Sequence, residues 1–315
     1  MTYNVMGLPW PIAFGRDRAL DQVADRLASL RIAGRQPHII LLQEAFVADP
    51  QRLARRAGYA HVTAGPDVAF RTDVSVSAED RTFLQGARWD RGETLSRQLN
   101  SGLVILSDYP IIATDRLAYP AFACAGFDCL ANKGVLIAHV RLPGLAAPLA
   151  VVNTHLNARK AAGVPVARSL AAFKRQTELL NDFVRRHVPD DRAMILGGDF
   201  NIGRDPGRIA AFFGRWSASG QPFVAAALGG GRRALQEAMI AEPTERRAMV
   251  EAVQRAKDWI FARDADGAPM RLVDAQAPFG GEAATRLSDH VGYAVSYAPA
   301  GAAPRRLALA DAERR

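Results

Sequence analysis

Short apolar runs recur along this chain, and nearly every one stops at a polar residue. Residues 1–5 read as a strand that brings Asn4 to its end, followed by the turn G-L-P-W-P, which glycine and proline make rigid. Residues 17–32 carry Leu20, Val23, Leu27 and Leu30, a spacing that predicts an amphipathic helix, stopped by Gly34 and Pro37. Residues 38–42 are a second apolar run, with Glu44 close behind it. Between residues 59 and 99 polar positions collect and periodicity fades, which predicts an irregular, substrate-facing excursion with one or two strands. Order returns over residues 100–111, N-S-G-L-V-I-L-S-D-Y-P-I, a strand and turn leading into another strand. Residues 134–140 form the next strand, entered through a loop that carries Asp128 and Lys133.

The scheme repeats downstream. Residues 149–156, L-A-V-V-N-T-H-L, carry His155 at the strand's end, with Asn153 and Asn157 on either side. Residues 167–187 predict a long helix with Leu170, Phe173, Leu179, Leu180 and Phe183 on or near one face. Residues 194–196 are a buried strand running into G-G-D-F-N, where two glycines permit a tight turn and deliver Asp199 and Asn201 to one side. Residues 204–256 are rich in Ala, Gly and Arg and predict helical stretches. Residues 257–261 are a short strand with Asp258, and L-S-D-H-V-G-Y sets Asp289 and His290 before a final alternating strand. The small and charged residues from 299 onward predict a frayed end. The expected organisation is one domain over residues 1–298 and a flexible tail over 299–315.

Composition narrows the reading only a little. At 315 residues and 49% hydrophobic, the chain can bury a large core. No apolar run approaches a membrane span, so a soluble or peripheral, monomeric protein is expected. A net charge of +8 favours anionic partners. Yet only four of the 40 basic residues are lysine (Lys133, Lys160, Lys174 and Lys257), an arginine bias that weakens basicity as a sign of nucleic-acid binding. The two cysteines, Cys124 and Cys129, fit a small-loop disulfide and two free thiols equally well. The chain opens directly into its first strand; a leader upstream would point to a secreted or periplasmic protein, and otherwise the cytoplasm is expected.

Candidate chemistry comes from the series of strand ends. Each has an ordinary reading by itself: Glu44 as a salt-bridged acid, His155 as a core histidine, Lys133 as a surface lysine, G-D-x-N as a strand followed by an Asx turn. Packing gives no reason for Asn4, Glu44, His155, Asp199, Asn201, Asp258, Asp289 and His290 all to stand at the ends of apolar runs. Carboxylates and carboxamides suit a hard, oxygen-loving cation, histidines handle protons, and no thiolate or paired-histidine set favours zinc. The combination points to metal-assisted hydrolysis of a phosphate ester.

These stretches, Y-N-V, L-Q-E, N-T-H-L, G-D-F-N and S-D-H, together resemble the endonuclease/exonuclease/phosphatase superfamily, also called DNase I-like, over residues 2–295. The resemblance implies an α/β protein, a four-layer sandwich of two mixed sheets with helices outside and a magnesium site at one end. Within the superfamily, N-V-M-G-L-P-W-P, N-S-G-L-V-I-L-S-D-Y-P-I and the D-x4-K-G pattern of Asp128, Lys133 and Gly134 are most similar to the neutral sphingomyelinases. The departures are the absence of a long aromatic hairpin and His38 standing where many members carry aspartate.

By that family pattern, Glu44 would bind Mg²⁺, with Mn²⁺ or Co²⁺ as substitutes and Asn4 beside it, and Asp289 would complete the metal environment. His290 would be the general base with Asp258 fixing its tautomer. His155 and Asn201 would bind phosphoryl oxygens, Asp199 would orient the attacking water, and Lys133, with Asp128 as its loop partner, would lie near the substrate phosphate. The implied reaction turns sphingomyelin into ceramide and phosphocholine, with peripheral membrane contact. A magnesium-dependent nuclease, with nucleic acid as partner, is the alternative, and a non-catalytic binding module on the same fold is the third.

Overall fold

The apolar runs assemble into two sheets. This computed structural model describes residues 1–9, 13–220, 243–281 and 286–298. Strands β1 (Thr2–Asn4), β2 (Ile39–Gln43), β3 (His61–Ala64), β4 (Val104–Ser107), β10 (Arg271–Phe279) and β11 (Gly292–Ala298) form a six-stranded sheet in the order β10-β11-β1-β2-β4-β3. Strands β5 (Ile111–Ala118), β6 (Gly134–Val140), β7 (Leu149–His155), β8 (Met194–Asp199) and β9 (Asp258–Arg263) form the second sheet, in sequence order. The pairs β1–β2 and β7–β8 are parallel and the others antiparallel, so both sheets are mixed.

The period-two geometry of a strand sorts each run between two cores. Ile40 and Leu42 of β2 pack with Leu20, Val23 and Leu27 of helix α1 (Arg16–Ile32), while Leu41 between them joins Leu136, Ala138 and Val151 in the space between the sheets. On the other side Val135, Ile137 and Val152 pack with Phe173 and Leu180 of α4 (Val166–His187) and with Phe212 of α5 (Pro206–Ala218). Burial on both faces explains why these strands read as continuous apolar runs. Helices α2 (Pro50–Ala57) and α6 (Pro243–Arg255) complete the covering of the six-stranded sheet, and the result is a four-layer α/β/β/α sandwich.

Polar groups also cross the inter-sheet space. Asn153 on β7 donates to the carbonyls of Leu42 and Val104 at 2.9 and 3.1 Å and accepts from Gln43 Nε2 at 2.8 Å. All of these groups are buried, so the amide both satisfies strand carbonyls and fixes the register of one sheet on the other. Register then aligns the strand ends. His155 pairs with Asp199, Asp199 with Asp258, and Asn4 with Gln43, next to Glu44.

The excursion over residues 59–99 holds one strand, β3, and also a helix, α3 (Ala78–Gln85), that sequence periodicity does not announce. Its start is a capping box between Ser77 and Asp80, and Asp80 is its one buried residue, paired with Arg175 at 3.0 Å. A helix held by a cap and an ion pair leaves no apolar stripe to read. Helix α2 and strand β10 were likewise unannounced. Cys124 and Cys129 form a disulfide, Cα–Cα 5.3 Å, closing the loop before Lys133. Trp10 and Pro11 of the first turn and the tail over 299–315 lie outside the described residues.

Candidate active site

Four strand ends converge where the two sheets meet. Asn4, at the end of β1, donates from Nδ2 to Glu44 Oε1 and to Asp199 Oδ2, both at 3.0 Å, so one amide from the first sheet joins an acid of each sheet. Its own Oδ1 accepts the Met6 amide at 3.0 Å, so in this network Asn4 holds the two carboxylates together rather than offering its oxygen outward. Glu44 directly follows β2 with φ 53°, and Asn201 two residues past β8 has φ 50°, both in the left-handed region that non-glycine residues rarely adopt. Such strain at both strand exits aims side chains that an extended backbone would send elsewhere.

Asp199 is the centre of the cluster. Beyond Asn4, its Oδ2 lies 3.5 Å from His155 Nε2 and 3.7 Å from His290 Nε2, and its Oδ1 accepts the Asn201 amide at 3.0 Å. Burial opposes its charge, but His290, His155, Asn4 and Lys133 outweigh burial and hold its carboxyl well below the usual range. Glu44 moves the other way: loss of solvent raises its carboxyl, with the Asn4 amide working against the rise. A half-buried acid with one neutral side-chain donor is short of positive charge.

The other half of the site is a hydrogen-bonded His–Asp pair. His290 Nδ1 lies 2.8 Å from Asp258 Oδ2, and both side chains are buried. Loss of solvent works against the imidazolium, but Asp258 and Asp199 overcome this and push His290 up to about 9. Ser288 orients the segment, donating to the Asn4 carbonyl at 2.7 Å and accepting the His290 amide at 3.1 Å. Tyr293 donates to the Asp258 carbonyl at 3.0 Å. Neither residue stood out in the sequence, although the serine immediately before D-H is a signal for a local backbone turn.

His155 and Lys133 face each other. Lys133 Nζ is 3.0 Å from His155 Nε2 and 3.0 Å from Asp128 Oδ2, and it lies in the buried interior at the end of the loop that leads into β6. The ammonium can only donate, so His155 Nε2 accepts and the imidazole is neutral. Burial, then Lys133, pulls its pKa down to about 3. Its Nδ1 is buried without a partner. Asn201 Nδ2 donates to the Leu156 carbonyl at 3.0 Å, which places its amide beside the same loop.

Asp289 does not join the cluster. Its side chain is 60% exposed and points toward Arg255 at 3.8 Å, and this corrects its expected place in the metal environment. The bend over residues 287–290, fixed by the Ser288 hydroxyl, turns His290 inward and leaves Asp289 outside. Arg208 was unexpected in a different way: buried, it clamps the carbonyls of Asn157, Asn201 and Ala158 at 2.7, 2.8 and 3.2 Å and fixes the loop after β7 against the one after β8.

As a cation site the donor chemistry fits. Among the described residues, Asp199, Asp258 and His290 offer ligand atoms within 4.8 Å of one another, but Asp258 and His290 already bond to each other. Glu44 and Asp199, bridged through Asn4, leave carboxylate oxygens for a hard divalent ion, and no thiolate is present to favour a soft one.

The sequence matches the profile of the Endonuclease/Exonuclease/phosphatase family over residues 1–290, and the chain belongs to that family. Among curated proteins no match is found. Solved structures share the fold at low identity. A double mutant of beta toxin from Staphylococcus aureus with bound magnesium ions has a TM-score of 0.60 at 18% identity, covering 94% of this chain and 97% of that one. Sphingomyelinase C from Streptomyces griseocarneus has a TM-score of 0.57 at 17% identity, covering 94% and 97%. A D. rerio TDP2 complexed with a single-strand DNA product has a TM-score of 0.53 at 16% identity, again covering 94% and 97%.

Proposed function

We propose that the protein is a Mg²⁺-dependent phosphodiesterase of the neutral sphingomyelinase type, cleaving sphingomyelin or a related choline phosphodiester to ceramide and phosphocholine. The observation that carries the reading is Lys133: a lysine of the D-x4-K-G pattern, buried, bonded to Asp128 and set against His155. A nuclease core needs no lysine at that place, whereas an ammonium beside the reacting diester offsets charge growing on its non-bridging oxygens. The family neighbours that bind magnesium or are named sphingomyelinase support the same choice.

Glu44 would hold the ion with Asp199 close by, and Asn4 keeps the two acids in place. When bound, Mg²⁺ would polarise the phosphoryl oxygens and offset part of the carboxylate charge that lifts His290. His290 Nε2 is the atom that takes a proton from water as the water oxygen bonds to phosphorus. Asp258 keeps the proton on Nδ1 and stabilises the imidazolium that results. Asp199 orients the water, Asn201 and Lys133 donate to the equatorial oxygens, and His155, accepting from Lys133 through Nε2, holds that ammonium beside them. The ester bond to the lipid alcohol then breaks, and the departing alkoxide takes up a proton. No helix among the described residues is long and apolar enough to cross a membrane, so contact with a lipid surface would be peripheral.

The test is hydrolysis of a panel of sphingomyelin, lysophospholipids, phosphoinositides and DNA, each with Mg²⁺ and with EDTA. Phosphocholine release that requires the metal is expected; acid-soluble nucleotide as the dominant product would replace this reading with the nuclease.

A further inference from the structure

Beside Lys133 lies a second cationic feature that the chemistry above does not use. A cavity of about 280 Å³ opens between the loop after β3, the loop before β4 and the end of β5, lined among others by Arg71, Arg97, Tyr119 and Asn132. It is tied to the catalytic loop directly: Asn132 precedes Lys133, and the Tyr119 amide donates to the Lys133 carbonyl at 2.9 Å. Arg97 is half-buried, and its guanidinium meets only neutral acceptors: Cys124 Sγ at 3.3 Å, the Tyr119 carbonyl at 3.2 Å and the Cys129 carbonyl. Arg71 on the rim spends one nitrogen, Nη1, on the carbonyls of Val68 and Phe70 at 2.7 and 2.8 Å. Neither makes an ion pair with a carboxylate among the described residues.

The acids nearby are already committed. Glu93, which also lines the cavity, accepts from Arg168 Nε at 2.7 Å and from the amides of Arg88 and Gly126, while Asp128 is held by Lys133. Each guanidinium therefore sits in the other's unfavourable field, and burial together with Arg71 draws Arg97 down to about 10, still charged at neutral pH. Arg208 shows what a purely structural buried arginine looks like in this fold: its donors go to three loop carbonyls and to Ser169, and it lines neither described cavity. Two like charges face one small cavity whose lining acid, Glu93, is already paired with Arg168, which leaves a place that an oxyanion completes, and forked guanidinium donors match phosphate geometry.

We propose that Arg71 and Arg97 form an oxyanion subsite that binds a phosphate group other than the reacting diester. The group comes either from a second phosphate carried by the substrate or from free phosphate in solution. The inference rests on the phosphodiesterase reading for the position of the reacting diester, and not on sphingomyelin being the substrate.

The probe is inorganic phosphate, titrated calorimetrically into the full-length wild type, Arg71→Gln and Arg97→Gln. Turnover is followed on a nucleoside p-nitrophenyl phosphodiester with and without a second, terminal phosphate. Saturable binding at millimolar phosphate, weakened about tenfold in Arg71→Gln, is expected, with turnover of the plain diester unchanged in that variant. A KM about tenfold lower for the doubly phosphorylated substrate in wild type, and equal KM values in Arg71→Gln, would make the substrate the source. Equal KM values in wild type would make free phosphate the source, and in both cases the subsite stands. Absent binding, or binding that Arg71→Gln leaves unchanged, overturns it. Arg97 also anchors the disulfide loop, so Arg97→Gln is read beside its melting curve, and the rim residue Arg71 carries the test if that variant fails to fold. An inactive protein that binds phosphate through Arg71 would refute the enzyme reading alone; an active one that does not would refute the subsite alone.

Discussion

Two His–Asp pairs at opposite ends of the sandwich have the same geometry and different surroundings. His290 Nδ1 lies 2.8 Å from Asp258 Oδ2 at the carboxyl ends of the central strands, and His38 Nδ1 lies 2.8 Å from Asp108 Oδ2 where β2 begins. The first pair is 6% and 5% exposed, with a second carboxylate, Asp199, at its free nitrogen. The second is 58% and 16% exposed, its aspartate shared with Arg31, and its histidine borders a cleft of about 730 Å³ that holds none of the clustered acids of the site. Burial and a second carboxylate at the free imidazole nitrogen, rather than the pair alone, separate the histidine given the proton-handling role from a surface contact.

The comparison breaks most sharply on removal of the imidazoles. His290→Ala should lower turnover by about three orders of magnitude or more, since it removes proton acceptance and the positioning of water together. His38→Ala should leave turnover within about twofold, because an exposed pair contributes only ~0.5 kcal/mol to stability. Steady-state kinetics on a choline phosphodiester decides, and equal losses would dissolve the distinction.

The partner acids should diverge next. Asp258→Asn leaves the shape but lets the wrong nitrogen of His290 carry the proton, and a loss of about hundredfold or more in kcat is expected. Asp108→Asn should alter kcat little. A pH–rate profile for Asp258→Asn that matched wild type would remove the aspartate from the mechanism.

Lys133→Met tests whether the site extends beyond the pair. Loss of a charge-assisted contact worth ~3 kcal/mol predicts about a hundredfold fall in turnover of the choline diester in a variant whose melting temperature shows it folded. An unchanged rate would end the role given to that lysine and with it the strongest argument for the sphingomyelinase branch.

The smallest effect is on stability against pH. His290 is raised from 6.5 to about 9, so its contribution is complete below 6.5 and is lost as pH climbs through 9. His155, lowered to about 3, works in the opposite sense: the unfolded chain takes up the proton first, and stability falls as pH drops from 6.5 toward 3. Melting curves in chelator should therefore decline on both sides of the neutral range, the alkaline decline shrinking in His290→Gln and the acidic one in His155→Gln.

The sequence by itself determined the layers and most of the site's cast. Runs such as residues 39–42 and 149–152 are apolar at every step because both faces of each strand are covered, and a pattern that local leaves its mark on the chain. Asn4, Glu44, His155 and Asp199 could be picked out because each closes such a run, and Asp258 because it opens one. Direction was not legible. Asp289 and His290 are neighbours in sequence, and only the turn built by Ser288 and the register of β11 on β1 sends one inward and the other to Arg255. Helix α3 was hidden because its hold is a cap and an ion pair to Arg175, far along the chain. Register and long-range pairing depend on which residues meet across a hundred or more positions, as Asn4 and Asp199 do, and no local pattern encodes that meeting. Tertiary structure alone decided which strand ends share one carboxylate.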